Sequence, residues 1–78
     1  MHFPSKEQIT VLREQYPRGT KVELLGMDDP QAPPTGTMGE ILGVDDAGQL
    51  LVRWATGSSL SLIPGVDSFR IAEKGGQS

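Results

Sequence analysis

Apolar positions along the chain change period once, and the change predicts a helix followed by short strands. In PSKEQITVLREQY, residues 4–16, Ile9, Leu12 and Tyr16 recur at helical spacing with Val11 on the shoulder of their stripe. Ser5 supplies an N-cap and Gln8 completes a capping-box pattern, so a helix is expected over about residues 5–16. Glu7 in its first turn and Arg13 near its last complement the helix dipole. Pro17 ends it, because the residue before a proline is pushed out of the helical region. Met1 to Phe3 are expected to fray unless Phe3 folds back onto Ile9.

From Thr20 the period is two. Val22 and Leu24 alternate with Lys21 and Glu23 in a first strand, Thr20 to Leu25. A second, Thr37 to Val44, carries Met38, Ile41, Leu42 and Val44, with Gly39 and Gly43 where a sharply curled strand bends. Leu50, Val52 and Trp54 alternate with Leu51, Arg53 and Ala55 in a third. Ser58 to Ile63 reads as a fourth, with Leu60 and Leu62 on its apolar face, and Phe69 to Ala72 as a short closing strand. Asp45-Asp46-Ala47-Gly48 and Thr56-Gly57 are hairpin connections, and Pro64 to Asp67 is a tight turn.

Between the first two strands lies Asp28 to Gly36, a loop in which Asp29-Pro30 starts a turn and Pro33-Pro34 holds extended backbone. Five strands, a long loop after the first, tight hairpins and a one-turn break before the last are the order of a small SH3-like five-stranded barrel. The expected class is therefore mainly β, with one N-terminal α-helix laid over an open edge or end of the barrel. Residues 1–72 are expected to form a single domain, and the polar residues 73–78 a disordered tail.

Composition narrows the functions open to such a domain. Seventy-eight residues bury a modest core, and the absence of cysteine removes disulfides and thiolate metal sites as staples. A net charge of −3 weighs against nucleic-acid binding, which rests on neutralising phosphates. No apolar window reaches the length of a membrane span and no secretory pattern opens the chain, so a cytoplasmic protein with no membrane partner is expected. A monomer or weak homo-oligomer fits the size.

Most of the chain also resembles a known family. The pattern is Gly19-Thr20, Val22, Leu24, Met27-Asp28-Asp29-Pro30, Pro34, Gly36-Thr37, Gly39, Val44-Asp45 and Gly48. It continues through Val52, Trp54, Gly57-Ser58, Leu60 and Leu62 to Gly65 and Asp67. Over roughly residues 16–71 this resembles the bacterial domain-of-unknown-function family 4314, found largely in Gram-positive bacteria, their phages and mobile elements. Ala55-Thr56 departs from it, standing where the family usually has Asp then Asn, at a hairpin turn. The resemblance implies no activity.

The candidate chemistry is sparse. Asp28-Asp29, Asp45-Asp46 and Asp67 are the carboxylates that could hold a divalent cation, yet each sits where a side chain caps a turn, and no calcium-loop spacing occurs. Turn capping is the favoured reading, with no metal and no cofactor. Ser58, Ser59 and Ser61 have no histidine but His2 to act as base, and no phosphate loop, dinucleotide fingerprint or zinc pattern occurs, so no enzyme is expected. Trp54 is in register to point into the core.

The leading expectation is a non-catalytic interaction module binding a protein or peptide through Asp28, Asp29, Pro30, Gln31, Pro33 and Pro34. Pro30 and Pro33, three apart, could act as a P-x-x-P-like ligand, the loop could wall a groove, or it could be a stiff connector. The alternative is nucleic-acid binding by a local basic strip of Arg18, Lys21, Arg53 and Arg70.

Overall fold

The structure, a computed structural model, describes residues 4–75. The expectations for Met1 to Phe3, for His2 and for Gly76 to Ser78 concern residues outside that range. Helix α1 spans Lys6–Gln15. Its capping box closes as the sequence requires: Gln8 N–H donates to Ser5 Oγ (3.1 Å) and Ser5 N–H to Gln8 Oε1 (2.8 Å). Ile9 is buried, Leu12 and Tyr16 pack half-buried on the core, and Val11 stays 48% exposed. The apolar stripe is thus narrow, and one aliphatic side chain is left on its outer shoulder.

Four strands follow: β1 Lys21–Gly26, β2 Met38–Val44, β3 Leu50–Trp54 and β4 Ser68–Glu73. They form one antiparallel sheet in the order β3-β2-β1-β4. Its inner face carries Val22, Leu24, Ile41, Val44, Leu50, Val52 and Trp54, with Ile9 and Leu62 packed on them. Burying these side chains at roughly 1.5–3 kcal/mol each is the main force available to so short a chain. In β2 the inward positions run Gly39, Ile41, then Val44, because a bulge between Ile41 and Gly43 inserts one residue and resets the alternation.

Gly39 has a different task from Gly43. A Cβ on Gly39 would lie 2.6 Å from Val52 Cγ1 and 2.7 Å from Trp54 Cε3, whereas one on Gly43 meets nothing within 4 Å. Gly39 is the seat of the indole, and Gly43 belongs to the bulge.

The expected five-stranded barrel is found only in part, since the sheet is open and has four strands. Ser58 to Ile63 begins in strand register: Trp54 N–H donates to Ser58 O (3.0 Å), and Leu50 and Leu62 exchange both bonds (2.8 and 2.9 Å). Between those points the carbonyl of Leu60 instead accepts the indole N–H of Trp54 at 2.9 Å. Turning that carbonyl to a side chain reduces the would-be strand to one bridge.

The far end of the chain is more tied down than its polar composition suggests. β4 runs through Glu73, and Gly75 N–H donates to Thr20 Oγ1 (3.1 Å), so the expected tail is partly anchored. Thr20 is fully buried, and its hydroxyl also donates to Pro17 O at 2.6 Å. A Cβ on Gly75 would fall 2.2 Å from the Gly19 carbonyl carbon, so the two backbones touch there.

Candidate functional site

The proline loop is held at its base by the β1–β2 ladder. Leu24 N–H donates to Thr37 O (2.9 Å) and Gly36 N–H to Leu24 O (2.7 Å). Within the loop, Asp29 accepts from Gln31 N–H at Oδ1 (2.8 Å) and from Ala32 N–H at its carbonyl (3.0 Å). This is the side-chain turn cap that Asp-Pro sequences favour. Thr37 donates to Pro34 O through both its N–H (3.1 Å) and its hydroxyl (2.6 Å).

Pro33 is buried, while Asp28, Asp29, Pro30, Gln31 and Pro34 face solvent. The burial separates the P-x-x-P pair: Pro30 is available to a partner and Pro33 is an anchor. Five of the six residues expected to bind are therefore exposed, and the sixth is buried.

Asp45 and Asp67 also behave as turn caps, whereas among the described residues Asp28 and Asp46 accept no turn hydrogen bond. Asp45 Oδ1 accepts from Ala47 N–H (3.0 Å) and Gln49 N–H (2.9 Å), and Asp67 Oδ2 from Ile63 N–H (2.8 Å). Asp46 is turned outward, 3.7 Å from Arg13 Nη2. Gly48 closes the first hairpin at φ 81° beneath Pro4 and Leu12.

Trp54 is 2% exposed, which places it in the core as its register demands.

The four basic residues do not form a free strip. On the outer face of the sheet Glu40 stands between Lys21 (3.3 Å) and Arg53 (3.1 Å), the three coming from adjacent strands in register. Hydrogen bonds from Lys21 and then Arg53 hold the Glu40 carboxyl below the usual carboxylate range. Arg70 Nε donates to Glu23 Oε1 at 2.6 Å across β4 and β1. Among the described residues only Arg18 of the four has no ion pair. Three of the four cations are thus countered by carboxylates, which removes much of the positive potential that phosphate binding needs.

Two cavities of about 520 Å³ flank α1, which periodicity had not indicated. One lies on the Lys6 and Arg13 side beside Asp46. The other is more apolar and runs between Val11 and Leu12 on the helix and Gly48, Ile63 and Pro64 opposite. Its walls come from three stretches far apart in the chain. The one advance signal was Val11, an aliphatic residue off the axis of the helical stripe.

A family model described as a domain of unknown function (DUF4314) matches residues 5–72. No curated protein and no solved structure matches the chain. Among the described residues no helix is long and apolar enough to cross a membrane.

Proposed function

The chain belongs to this family of unknown function, DUF4314, and from that premise and the loop's geometry we propose that it is a non-catalytic interaction module. It binds a protein or peptide through the outer surface of the proline loop, in a cytoplasmic setting. One observation carries the reading. Nine residues rich in proline are anchored by a buried Pro33, by the Asp29 turn and by backbone bonds at the base of the loop, while Pro30, Gln31 and Pro34 face outward. A surface ordered before binding loses little conformational entropy on binding, and a connector alone has no need to expose it.

The fold reading belongs with it. Strand order β3-β2-β1-β4, with Leu62 bridged to Leu50 beyond β3, supports an SH3-like five-stranded barrel whose fourth strand is reduced to one pair. Small barrels of this size expose their loops on a stiff frame, which suits recognition more than enclosure of a substrate.

The test compares the tagged chain with a Pro30→Ala, Gln31→Ala, Pro34→Ala variant in pulldowns from a Gram-positive lysate. Pro33 is left alone because it is buried. Proteins retained by the wild type are expected to be lost from the variant while its amide spectrum stays folded. Equal retention by a folded variant excludes the loop as the binding surface.

A further inference from the structure

We propose that the apolar groove between α1 and the Ile63-Pro64 turn is a second docking surface, for a partner segment that is both aliphatic and cationic. An aliphatic side chain seats between Val11 and Ile63, and a lysine or arginine beside it meets Glu7. This surface needs nothing from the proline loop, which contributes no residue to its walls.

Three observations select that occupant. First, the groove is lined by Val11, Leu12, Ile63 and Pro64, and both Val11 (48%) and Ile63 (40%) remain exposed. Its volume of about 520 Å³ falls within the range of small ligand sites.

Second, charge is divided across the helix. Helical spacing puts Glu7, Val11 and Glu14 on one face, whereas Lys6 and Arg13 lie toward Asp46 on the other. Arg13 is engaged there, donating to Val44 O (3.1 Å) and facing Asp46.

Third, the acidic side is uncompensated. Among the described residues no cation lies within 4.0 Å of Glu7 or Glu14. The wall facing Glu7 is Ala47, Gly48, Ile63 and Pro64, which carries no charge. An apolar slot with the Glu7 carboxylate on one rim and neutral residues on the other attracts a cation beside an apolar side chain and repels an acidic one.

The experiment titrates the ¹⁵N-labelled full chain with three capped peptides: GKLLKG, GELLEG and GKGGKG. Saturable shifts at Val11, Leu12, Gly48 and Ile63 are expected with the first and not with the other two. Raising the salt concentration weakens that binding, because exposed charges contribute to it. Glu7→Gln is expected to weaken GKLLKG by about two- to fivefold, the usual reach of one exposed ion pair. Val11→Ser with Ile63→Ser weakens it by tenfold or more, from lost apolar contact.

Because the peptides themselves are varied, the result does not depend on any variant folding. Equal binding of GELLEG overturns the proposal, as does the absence of saturable shifts with GKLLKG. Shifts confined to residues 28–36 overturn it while supporting the loop reading. Shifts at the groove that follow protein concentration alone assign it to a second copy, and contacts from Phe3 to Val11 or Ile63 assign it to the chain's own N-terminus. Either of those also overturns it.

Discussion

Gly39 and Gly43 sit four residues apart in one strand, and replacing each by alanine separates two explanations for glycine in β2. At Gly39 the new methyl would lie 2.6 Å from Val52 Cγ1 and 2.7 Å from Trp54 Cε3. Carbon pairs rest at about 3.5–4.0 Å, so the indole or Val52 must retreat by close to 1 Å. Both are held in place: Trp54 and Val52 are each 2% exposed, and the indole is tethered to Leu60 O.

Overpacking of this kind costs about 1–3 kcal/mol, offset by about 0.4–1 kcal/mol from the stiffer unfolded chain. The net loss is about 1–2 kcal/mol, a large part of the roughly 4–12 kcal/mol expected of a chain this long. In urea the midpoint should fall by about 1–2 M, and the melting temperature by about 5–15 °C. Trp54 is the only tryptophan, so its fluorescence reports both the transition and the displaced ring.

Gly43→Ala meets nothing within 4 Å and needs no positive φ, so the same unfolded-chain effect is unopposed there and stability should be unchanged or raised by up to about 1 kcal/mol. If Gly39→Ala keeps the wild-type midpoint, or Gly43→Ala falls as far, the glycines serve strand curvature and the indole seat is wrong.

Two further outcomes follow from the polar contacts. Glu40→Gln should destabilise the protein at neutral pH and lose that effect in acid. The folded-state pKa of Glu40 is depressed, so its contribution is present above the unfolded value and disappears as pH falls through the folded one. Denaturant midpoints of the two proteins taken across pH 2–7 check this, and a gap that persists at the acid end refutes it. Thr20→Val leaves the Gly75 N–H without the hydroxyl it donates to, while the Pro17 carbonyl keeps the Thr20 N–H (3.0 Å), at a cost of about 0.5–1.5 kcal/mol. The Gly75 amide should then exchange its hydrogen much faster, and unchanged protection there would show that the chain end is held by something else.

The helix and the turn carboxylates were legible because their causes are local. Ser5 and Gln8 satisfy each other's backbone within one turn, and Asp29, Asp45 and Asp67 cap groups no more than four residues away. What sequence could not supply is set by contacts across the sheet. Ser58 to Leu62 has the alternation of a strand, yet its middle carbonyl goes to an indole six residues back, so pattern and pairing part company at Leu60. Pro33 and Pro34 read alike as stiff backbone, but one is buried and one exposed, which only the packing of the loop on the sheet decides.

Periodicity identifies the side chains a fold must bury, and a binding surface is built from those it need not bury. Val11 belongs to the second group: it stands off the narrow stripe of Ile9, Leu12 and Tyr16, and Ile63 lines the same groove. With 48% of its surface exposed, Val11 forgoes about 1 kcal/mol of burial. Its place on the rim of a groove, beside the uncountered Glu7, makes the flank of α1 as strong a candidate for recognition as the proline loop.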